Sequence, residues 1–440
     1  MTRDEFVSKF REYVRKNLTP TESERSLVSK VYSAFCLLFH DNCLQIGSYA
    51  RFTAIRPIHD LDILYVVGNW DENNHSPETA LKSLLSLITA QFKNPTSYTI
   101  KTSLQTHSIT VTFNQGNTEI LSVDIVPAYI LSKNEFGDDV YKVPEIVRIR
   151  HGERRAEYYK SLALKGAEPG WIASDPRGYI RIAQQINQIN EDFRKAAKFI
   201  KAWKYSCEAK NSNFKIKSFH IEQLVIAQFK ETPHADIFDG IFNFFLRLPE
   251  KIEVAQIPDR ADPGTFIDEY INQLTRGQKE LIIKARDGFL KKLEEFTPNQ
   301  AVSSLLEAYF YQRASYSEQY LFDFGVPTFL DDHYAFEIMG EVQERNGFRK
   351  SILEKAGIIP IDRKIKFMIK GKPPQVDYFK WKVKNDDTSP EPRGEITDHH
   401  TRNDPENTKY KGNHFVECYA LLNNVCVAKV RQDVILKYPF

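Results

Sequence analysis

The residues best suited to chemistry are two aspartates, Asp60 and Asp62, at the start of the apolar run from Ile63 to Val67. Side chains two positions apart on a β-strand project from the same face, so the pattern directs both carboxylates into one small space. Like charges held that close resist joint ionisation unless a cation lies between them. The pair therefore predicts a hard divalent ion with oxygen ligands, and Mg²⁺ is the first candidate.

A third carboxylate belongs to the same pattern. Asp124 is the only charged residue in the apolar segment ILSVDIVPAYIL, which has the composition of a buried strand. A lone buried charge is costly unless it has a partner or a ligand. Three carboxylates on adjacent strands can hold two cations about 4 Å apart, the arrangement used for in-line phosphoryl displacement. We therefore predict that Asp60, Asp62 and Asp124 are the catalytic, metal-binding residues of a nucleotidyl transfer.

Gly47 and Ser48 precede this strand and follow a short apolar segment. A Gly-Ser turn leaves backbone N–H groups and a hydroxyl free to meet phosphate oxygens, so both residues are predicted to bind nucleotide. Taken alone, an Asp-x-Asp is more often a strand end with solvated carboxylates, and a Gly-Ser turn is rarely a binding site. The order of Gly-Ser, Asp-x-Asp and a later lone Asp favours the functional interpretation.

The composition limits the class of protein. The 440 residues are 42% hydrophobic and 27% charged, and 60 basic against 58 acidic side chains leave a net charge of +2. That balance suits small charged ligands better than a nucleic-acid polymer. The N-terminus does not resemble a signal peptide, and no apolar run reaches the roughly 18 residues of a membrane span, so we expect a cytoplasmic protein without membrane contact. Five scattered cysteines without a Cys-x-x-Cys argue against disulfides or zinc.

Hydrophobic periodicity predicts an α+β fold. The first 41 residues are expected to be helical, with a break at Thr19-Pro20 and a capping box from Thr21 to Glu24. Strands are expected over 43–130, one helix from Pro176 to near Tyr205, another from residue 218, and a further one over 265–296. The last hundred residues predict a mainly β module, with a hairpin that turns at Asn423-Asn424. The predicted regions are 1–175, 176–330 and 331–440.

The motifs of residues 20–330 resemble those of the bacterial CD-NTases, the nucleotidyltransferase group of cyclic GMP-AMP synthase, oligoadenylate synthetase and dinucleotide cyclases. They are GSYARFT (47–53), HDLDIL (59–64), VDIVPAY (123–129), WIASDP (171–176), KAW (201–203) and SFHIE (218–222). The resemblance implies a polymerase-β-like mixed sheet in a catalytic lobe that carries the N-terminal helices. A helical lobe would complete the nucleotide site, and a small mainly β domain would follow.

The resemblance also implies site residues and an activity. The three aspartates would bind two Mg²⁺ ions, with Mn²⁺ as the alternative; Lys201 and Ser218 would contact the donor triphosphate, and Phe219 would stack on a nucleobase. Without the motif, Lys201 near a helix end could equally interact with the last helix carbonyls. The implied product is a cyclic di- or trinucleotide second messenger made from ATP, with GTP as a second candidate substrate. In bacterial anti-phage (CBASS) signalling it would reach a downstream effector.

The tail resembles the C-terminal sensor domain associated with adenylyl/guanylyl cyclases and SMODS proteins. The matching residues are WKVKN (381–385), RGEI (393–396) and HFVECY (414–419), in which Trp381, Arg393 and His414 are the first to test. The tail is accordingly expected to bind a regulatory ligand or protein. No cysteine cluster lies between Asp124 and Lys201, so the zinc insertion of the animal DNA sensor is absent and we expect no stable DNA binding.

Two other functions share parts of this pattern. A terminal nucleotidyltransferase that extends RNA or tRNA would use the same metal site, but the net charge of +2 and the lack of a visible RNA module weigh against it. A catalytically silent nucleotide sensor is disfavoured by the intact set of three carboxylates.

Overall fold

A computed structural model describes residues 2–105, 107–145, 170–344, 350–398 and 405–438. The chain divides into two compact units. The first comprises Phe10–Phe244 and Glu250–Arg276, and the second comprises Met1–Lys9, Phe245–Pro249 and Gly277–Phe440. Among the described helices, none is both long enough and apolar enough to span a membrane.

The elements up to residue 276 comprise both helices and strands, and all seven described strands lie between residues 43 and 174. In chain order they are α1 (Arg3–Tyr13), a π-helical turn (Val14–Leu18), α2 (Glu22–Leu38), β1 (Cys43–Ile46), α3 (Gly47–Ala50), β2 (Asp60–Asn69), α4 (Pro77–Gln91), β3 (Thr99–Leu104), β4 (Ile109–Gln115), β5 (Thr118–Lys133), β6 (Asp139–Glu145), β7 (Gly170–Ser174), α5 (Pro176–Ile189), α6 (Asp192–Lys210), α7 (Ser218–Glu231), α8 (Ile237–Lys251) and a 3₁₀ turn (Glu269–Gln273). Helix α2 begins with the predicted capping box, in which Thr21 accepts from the Glu24 amide and the Glu24 carboxylate accepts from the Thr21 amide.

The first unit contains a seven-stranded mixed sheet. Its main path is β1-β2-β5-β4-β3, and β6 and β7 extend it from β5. Strands β2 and β5 are parallel neighbours, whereas the other pairs are antiparallel. The predicted α+β class with a mixed sheet and helices is confirmed.

One face of this sheet forms the core. Alternate residues of β2 and β5, including Leu61, Ile63, Val123 and Ile125, are fully buried against apolar side chains of α2 and α4. Burial of each such side chain stabilises the fold by about 1.5–3 kcal/mol. The strand period of two therefore turns the residues between them, the aspartates included, to the opposite face.

Two predicted helices are wrong in extent. The helix expected from Pro176 to near Tyr205 is interrupted at Asn190, whose backbone is extended. Its side-chain amide donates to the carbonyls of Pro233 and Ala235 at 2.9 and 2.7 Å, and its carbonyl oxygen accepts from the Asp192 amide. These side-chain hydrogen bonds compete with helix continuation.

The helix expected over 265–296 begins late. Residues 265–267 instead pair with the segment around Pro258, through the Pro258–Phe266 bridge and the Ile267 amide on the Ile257 carbonyl. Regular helix starts only at Arg276. A backbone already paired in this way cannot also supply the hydrogen bonds of a helix.

The second unit is mainly β after residue 336. Its elements are α9 (Arg276–Glu294), α10 (Ser303–Leu306), 3₁₀ turns (Leu321–Phe324 and Asp332–Tyr334), β8 (Glu337–Val342), β9 (Ser351–Ile352), α11 (Leu353–Ala356), β10 (Ile358–Pro360), β11 (Lys364–Lys370), β12 (Tyr378–Lys384), β13 (Ile396–Thr397), β14 (Glu406–Asn407), β15 (Gly412–Leu422) and β16 (Val425–Lys437). They build a five-stranded sheet, β10-β16-β15-β12-β13, and a four-stranded sheet, β14-β11-β8-β9.

The predicted C-terminal hairpin is present. Strands β15 and β16 pair antiparallel, and Asn423 and Asn424 both have positive φ, as the tightest hairpin turns require. Trp381 on β12 is buried in the core of this unit and is therefore a packing residue.

Candidate active site

The Asp-x-Asp pair occupies the start of β2. Asp60 and Asp62 alternate with the buried Leu61 and Ile63, so both carboxylates lie on the face opposite the apolar core. Asp60 is the more exposed of the two. The strand thus presents one carboxylate at its open end and a second one two residues further in.

Asp124 is brought to this pair by the parallel pairing of β2 with β5. The register places Asp62 directly opposite Asp124 on the neighbouring strand. Adjacent strands lie about 4.8 Å apart, and residues i and i+2 are separated by about 6.5 Å. On the other side, Thr110 of β4 is in register with Asp124 and donates its hydroxyl hydrogen bond to Asp124 Oδ1. The three carboxylates therefore form a short row, and Thr110 orients the last one.

The carboxylates of the row are desolvated and repel one another. Desolvation, together with the charge of Asp124, raises the pKa of Asp62 to about 6. Desolvation and Asp124 raise the pKa of Asp60 as well. Both shifts have the direction expected for carboxylates that repel one another, and a bound cation would relieve that repulsion.

Gly47 is fixed by its contact with Asp62. Ile46 of β1 is in register with Asp62, and the chain turns at Gly47 with a φ of +71°. A Cβ at this position would lie 1.8 Å from Asp62 Oδ2, so any other residue would collide with the carboxylate. Glycine is required here both for the positive φ and for the close approach.

Ser48 and Asp60 line a pocket of about 470 Å³. Its other lining residues are Leu18, Ala54, Ile55, Arg56, Pro57, Ile58, His59, Lys201, Ala202 and Tyr205. The Ser48 carbonyl accepts hydrogen bonds from the amides of Thr53 and Ala54 at 2.9 and 3.1 Å, which folds the loop back on the turn. One wall of the pocket therefore carries the predicted phosphate-binding turn beside the first carboxylate.

Lys201 reaches the pocket from α6. It is almost fully buried, and its ammonium group donates to Glu222 Oε1 at 2.9 Å and to the Thr53 carbonyl at 3.0 Å. These partners belong to other elements of the unit, so Lys201 does not act on the last carbonyls of its own helix. The contact with Thr53 ties the lysine to the loop that follows Ser48.

Glu222 connects two cations in the interior. Its second oxygen accepts from Arg51 Nε at 2.7 Å, while the first accepts from Lys201. Burial alone would raise the pKa of Glu222, but the charges and hydrogen bonds of Arg51 and Lys201 outweigh it and hold the pKa at about 2. Glu222 is therefore ionised, and its single negative charge is shared between Arg51 and Lys201.

Ser218 and Phe219 open α7, one turn before Glu222. The Ser218 hydroxyl lies 3.5 Å from the hydroxyl of Tyr205, a residue that lines the pocket. The Phe219 ring packs edge-on against Tyr179, with centroids 4.9 Å apart, and the Arg51 guanidinium lies 4.9 Å from its centre. Ser218 is thus connected to the pocket through Tyr205, and Phe219 lies beside Arg51.

Sequence reasoning did not identify four participants. They are Thr110, Arg51, Tyr205 and Glu222. Arg51 lies three residues after Ser48, and Glu222 lies four after Ser218, so both spacings were visible in the sequence. Their partnership was not, because Arg51 and Glu222 are 171 residues apart.

Within the described part of the chain, no three His, Cys, Asp or Glu side chains converge closely enough to enclose a single ion. The three aspartates are spread along β2 and across to β5, so they do not surround one common point.

Comparison with known proteins adds evidence on the tail. Residues 315–437 match the family model described as the adenylyl/guanylyl and SMODS C-terminal sensor domain. The predicted resemblance of the tail is confirmed. A search of curated proteins finds no match for the chain.

Several solved structures are similar to part of the chain. The E. coli MS115-1 CdnC:HORMA-deltaN complex has a TM-score of 0.49 and 16% identity over 70% of this chain and 98% of that one. The Elizabethkingia meningoseptica CdnE cyclic dinucleotide synthase with GTP and Apcpp has a TM-score of 0.39 and 12% identity, over 57% of this chain and 85% of that one. The Vibrio cholerae DncV cyclic AMP-GMP synthase with a linear intermediate has a TM-score of 0.38 and 15% identity, over 61% of this chain and 67% of that one.

Proposed function

We propose that this chain is a nucleotidyltransferase that joins ATP, with GTP as a second candidate substrate, into a cyclic di- or trinucleotide. The observation that carries the proposal is the register of β2 with β5, which places Asp62 beside Asp124 while Asp60 borders the Ser48 pocket. Carboxylates in such a row, next to a Gly-Ser turn, are what metal-assisted phosphoryl transfer requires.

Two divalent cations fit this row better than one. Spacings of about 5–7 Å along and across the strands leave room for ions about 4 Å apart, each held by different carboxylate oxygens. Mg²⁺ matches the all-oxygen donor set, with Mn²⁺ as the alternative. The raised pKa values of Asp60 and Asp62 support a cation at this place, because it would remove the repulsion that raises them. When bound, such ions neutralise the phosphates and polarise the reacting oxygens.

The remaining site residues are proposed to bind the phosphates and the base of the substrate. Gly47 and Ser48 offer a turn without a side chain in the way, so backbone N–H groups and the Ser48 hydroxyl can bind phosphate oxygens. Lys201 contributes a positive charge to the pocket, and Glu222 and Thr53 hold that charge in place. Ser218, at the first residue of α7, lies where a hydroxyl and a helix N-terminus act together on an anion. Phe219 remains a candidate for base stacking.

The biological setting follows from the resemblance of the motifs and from the tail. A cyclic nucleotide made in the cytoplasm would act as a second messenger on a downstream effector in CBASS anti-phage defence. The tail, whose family is described as a sensor, would adjust this activity through a regulatory ligand or protein.

The activity can be tested directly. Purified chain is incubated with labelled ATP alone or with GTP, with Mg²⁺ or EDTA, and with or without RNA. We expect a Mg²⁺-dependent, phosphatase-resistant product of low mass that forms without RNA and is lost in Asp60→Asn. Labelled RNA of increased length would favour a terminal nucleotidyltransferase, and ATP binding without any product would favour a silent sensor.

A further inference from the structure

Two of the five cysteines lie in direct contact, away from the carboxylate row. Cys36, in the last turn of α2, and Cys43, the first residue of β1, have their Sγ atoms 2.7 Å apart. Both are free thiols, and we call them the thiol pair. The remaining cysteines, Cys207, Cys418 and Cys426, are buried free thiols.

The turn between α2 and β1 creates this contact. The Asp41 amide donates to the Cys36 carbonyl at 2.9 Å, and the His40 amide donates to the Leu37 carbonyl at 3.4 Å. These are the two hydrogen bonds of a Schellman motif. His40 and Asp41 have φ values of 50° and 62°, which reverse the chain direction. Cys43 therefore returns beside the helix turn that carries Cys36, although it lies seven positions later.

The distance between the sulfurs indicates what the pair can do. Non-bonded heavy atoms pack at about 3.5–4.0 Å, and two sulfurs bound to one tetrahedral zinc ion lie about 3.8 Å apart. At 2.7 Å, the two Sγ atoms are closer than either arrangement requires. A disulfide bond measures about 2.05 Å, so the sulfurs need to approach by only about 0.7 Å to form one. The contact therefore favours a covalent bond over a metal ion.

The two thiols differ in their access to an oxidant. Cys36 is half-buried, so a small molecule can reach it, whereas only 6% of Cys43 is exposed. Burial and the contact with Cys36 raise the pKa of Cys43 to about 12, although a hydrogen bond with Tyr32 opposes the shift. Cys43 is therefore protonated, and a protonated thiol is a poor nucleophile. Oxidation should accordingly begin at Cys36.

We propose that Cys36 and Cys43 are an oxidation site at which hydrogen peroxide forms a reversible disulfide. Cys36 Sγ attacks one peroxide oxygen, the O–O bond breaks, and a sulfenic acid and one water are formed. Cys43 Sγ then attacks the sulfenic sulfur, the S–S bond forms and the S–O bond breaks, and the departing hydroxide takes the Cys43 proton as a second water. The two sulfurs lose two electrons, and the peroxide gains them. A dithiol reductant reverses the bond by exchange.

The disulfide would close the α2–β1 turn covalently. Strand β1 continues to Ile46, which is in register with Asp62 and precedes the Gly47 turn. Neither sulfur lines the Ser48 pocket, so the oxidation site is separate from the proposed nucleotidyl transfer. A cross-link across a short loop stabilises chiefly by restricting the unfolded chain, so the oxidised chain should melt several degrees above the reduced one.

The experiment determines the state of the thiol pair in full-length protein before and after hydrogen peroxide. Residues 31–51 form one tryptic peptide with both cysteines, because no Lys or Arg lies between Lys30 and Arg51. After alkylation of the denatured chain, we expect this peptide from the treated sample to carry no alkyl group and to be two hydrogens lighter than the dithiol peptide. Chymotryptic cleavage after Phe39 should leave its halves joined until dithiothreitol is added.

Two variants test the pairing. Cys36→Ser should retain its other four thiols at the same peroxide concentration and show no rise in melting temperature. Cys207→Ala, which removes a cysteine outside the thiol pair, is the matched control and should form the disulfide as the unchanged chain does. Circular dichroism checks that both variants are folded, and the peptide measurement on the unchanged chain depends on neither.

Three results would overturn the proposal. They are five alkylatable thiols at a peroxide concentration that already oxidises the methionines, a sulfinic or sulfonic acid at Cys36 with Cys43 still alkylatable, or thiol loss in Cys36→Ser as fast as in the unchanged chain. Because the readout is the chemical state of two sulfurs, a failure of the proposed enzymatic activity would leave this result intact.

Discussion

The carboxylate row predicts that one of its members destabilises the metal-free protein. Desolvation and Asp124 raise the pKa of Asp62 from its ordinary 3.8 to about 6. The folded chain then binds this proton more tightly than the unfolded chain, so stability falls as the pH rises through that interval. The loss of stability is absent below pH 3.8, the pKa of Asp62 in the unfolded chain, and complete above about pH 6, its pKa in the folded chain. Asp62→Asn removes the charge while keeping the shape.

The size of the effect follows from the shift. One pH unit corresponds to about 1.4 kcal/mol, so the full shift is about 3 kcal/mol, and partial hydration of Asp62 reduces it to about 1–3 kcal/mol. For a unit of this size, about 2–4 °C of melting temperature correspond to each kcal/mol. In EDTA at pH 8, Asp62→Asn should therefore melt several degrees above the unchanged chain, and the difference should shrink towards pH 4.

The assay is thermal unfolding of both proteins across this pH range, first in EDTA and then in Mg²⁺. Saturating Mg²⁺ should stabilise the unchanged chain more than Asp62→Asn and should reduce or reverse the difference, because a ligand stabilises only the state that binds it. Asp71→Asn is the control, since hydrogen bonds from Asn74 and Asn73 lower the pKa of Asp71, and its replacement should give no gain. A lower melting temperature for Asp62→Asn in EDTA at pH 8 would refute the electrostatic reasoning.

Three further variants test the remaining parts of the site. Glu222→Gln leaves Lys201 and Arg51 buried without their counter-charge, so unfolding free energy should fall by about 3–5 kcal/mol and ATP affinity should fall with it. Gly47→Ala should abolish turnover while the chain still folds, because the new Cβ displaces the Asp62 carboxylate; activity assays and circular dichroism check this. Ser218→Ala should weaken ATP binding several-fold in calorimetry and leave the melting temperature unchanged, since the contact of its hydroxyl with Tyr205 is long, at 3.5 Å.

Two of these variants have a control of the same chemical type. Glu208→Gln breaks the more exposed ion pair with Lys204 and should cost less than about 1 kcal/mol. Gly116 also has a positive φ, +60° against +71° at Gly47, but a Cβ there meets no atom within 4 Å, so Gly116→Ala separates backbone strain from the collision. Equal losses in Gly47→Ala and Gly116→Ala would contradict the role given to the close approach, and a large drop in melting temperature for Ser218→Ala would make that hydroxyl structural.

Local signals in the sequence predicted local structure well. The Thr21–Glu24 capping box and the Asn423-Asn424 turn involve residues within four positions of each other, so a short window contains all their partners. The strand character of the Asp60 and Asp124 segments was visible for the same reason. Their parallel pairing was then needed to bring Asp62 and Asp124 together, and a local pattern does not show which of several strands becomes the neighbour of β2.

Long-range contacts account for what the sequence did not reveal. The break at Asn190 depends on carbonyls of Pro233 and Ala235, more than forty residues away. The role of Glu222 likewise depends on Arg51 in a distant segment. Helical periodicity continues through such positions, because it records which residues are apolar and carries no information about side-chain partners.

The central claim is that the chain catalyses the joining of nucleotides into a ring at the carboxylate row. Mass spectrometry of the reaction product tests this claim most directly. The unchanged chain and Asp60→Asn are incubated with ATP, GTP and Mg²⁺, and the products are compared. We predict a species whose mass equals a whole number of nucleoside monophosphates less one water for each, with no terminal phosphate, and its absence from the variant. A linear product that retains its triphosphate as the only species, or equal product from Asp60→Asn, would contradict the account.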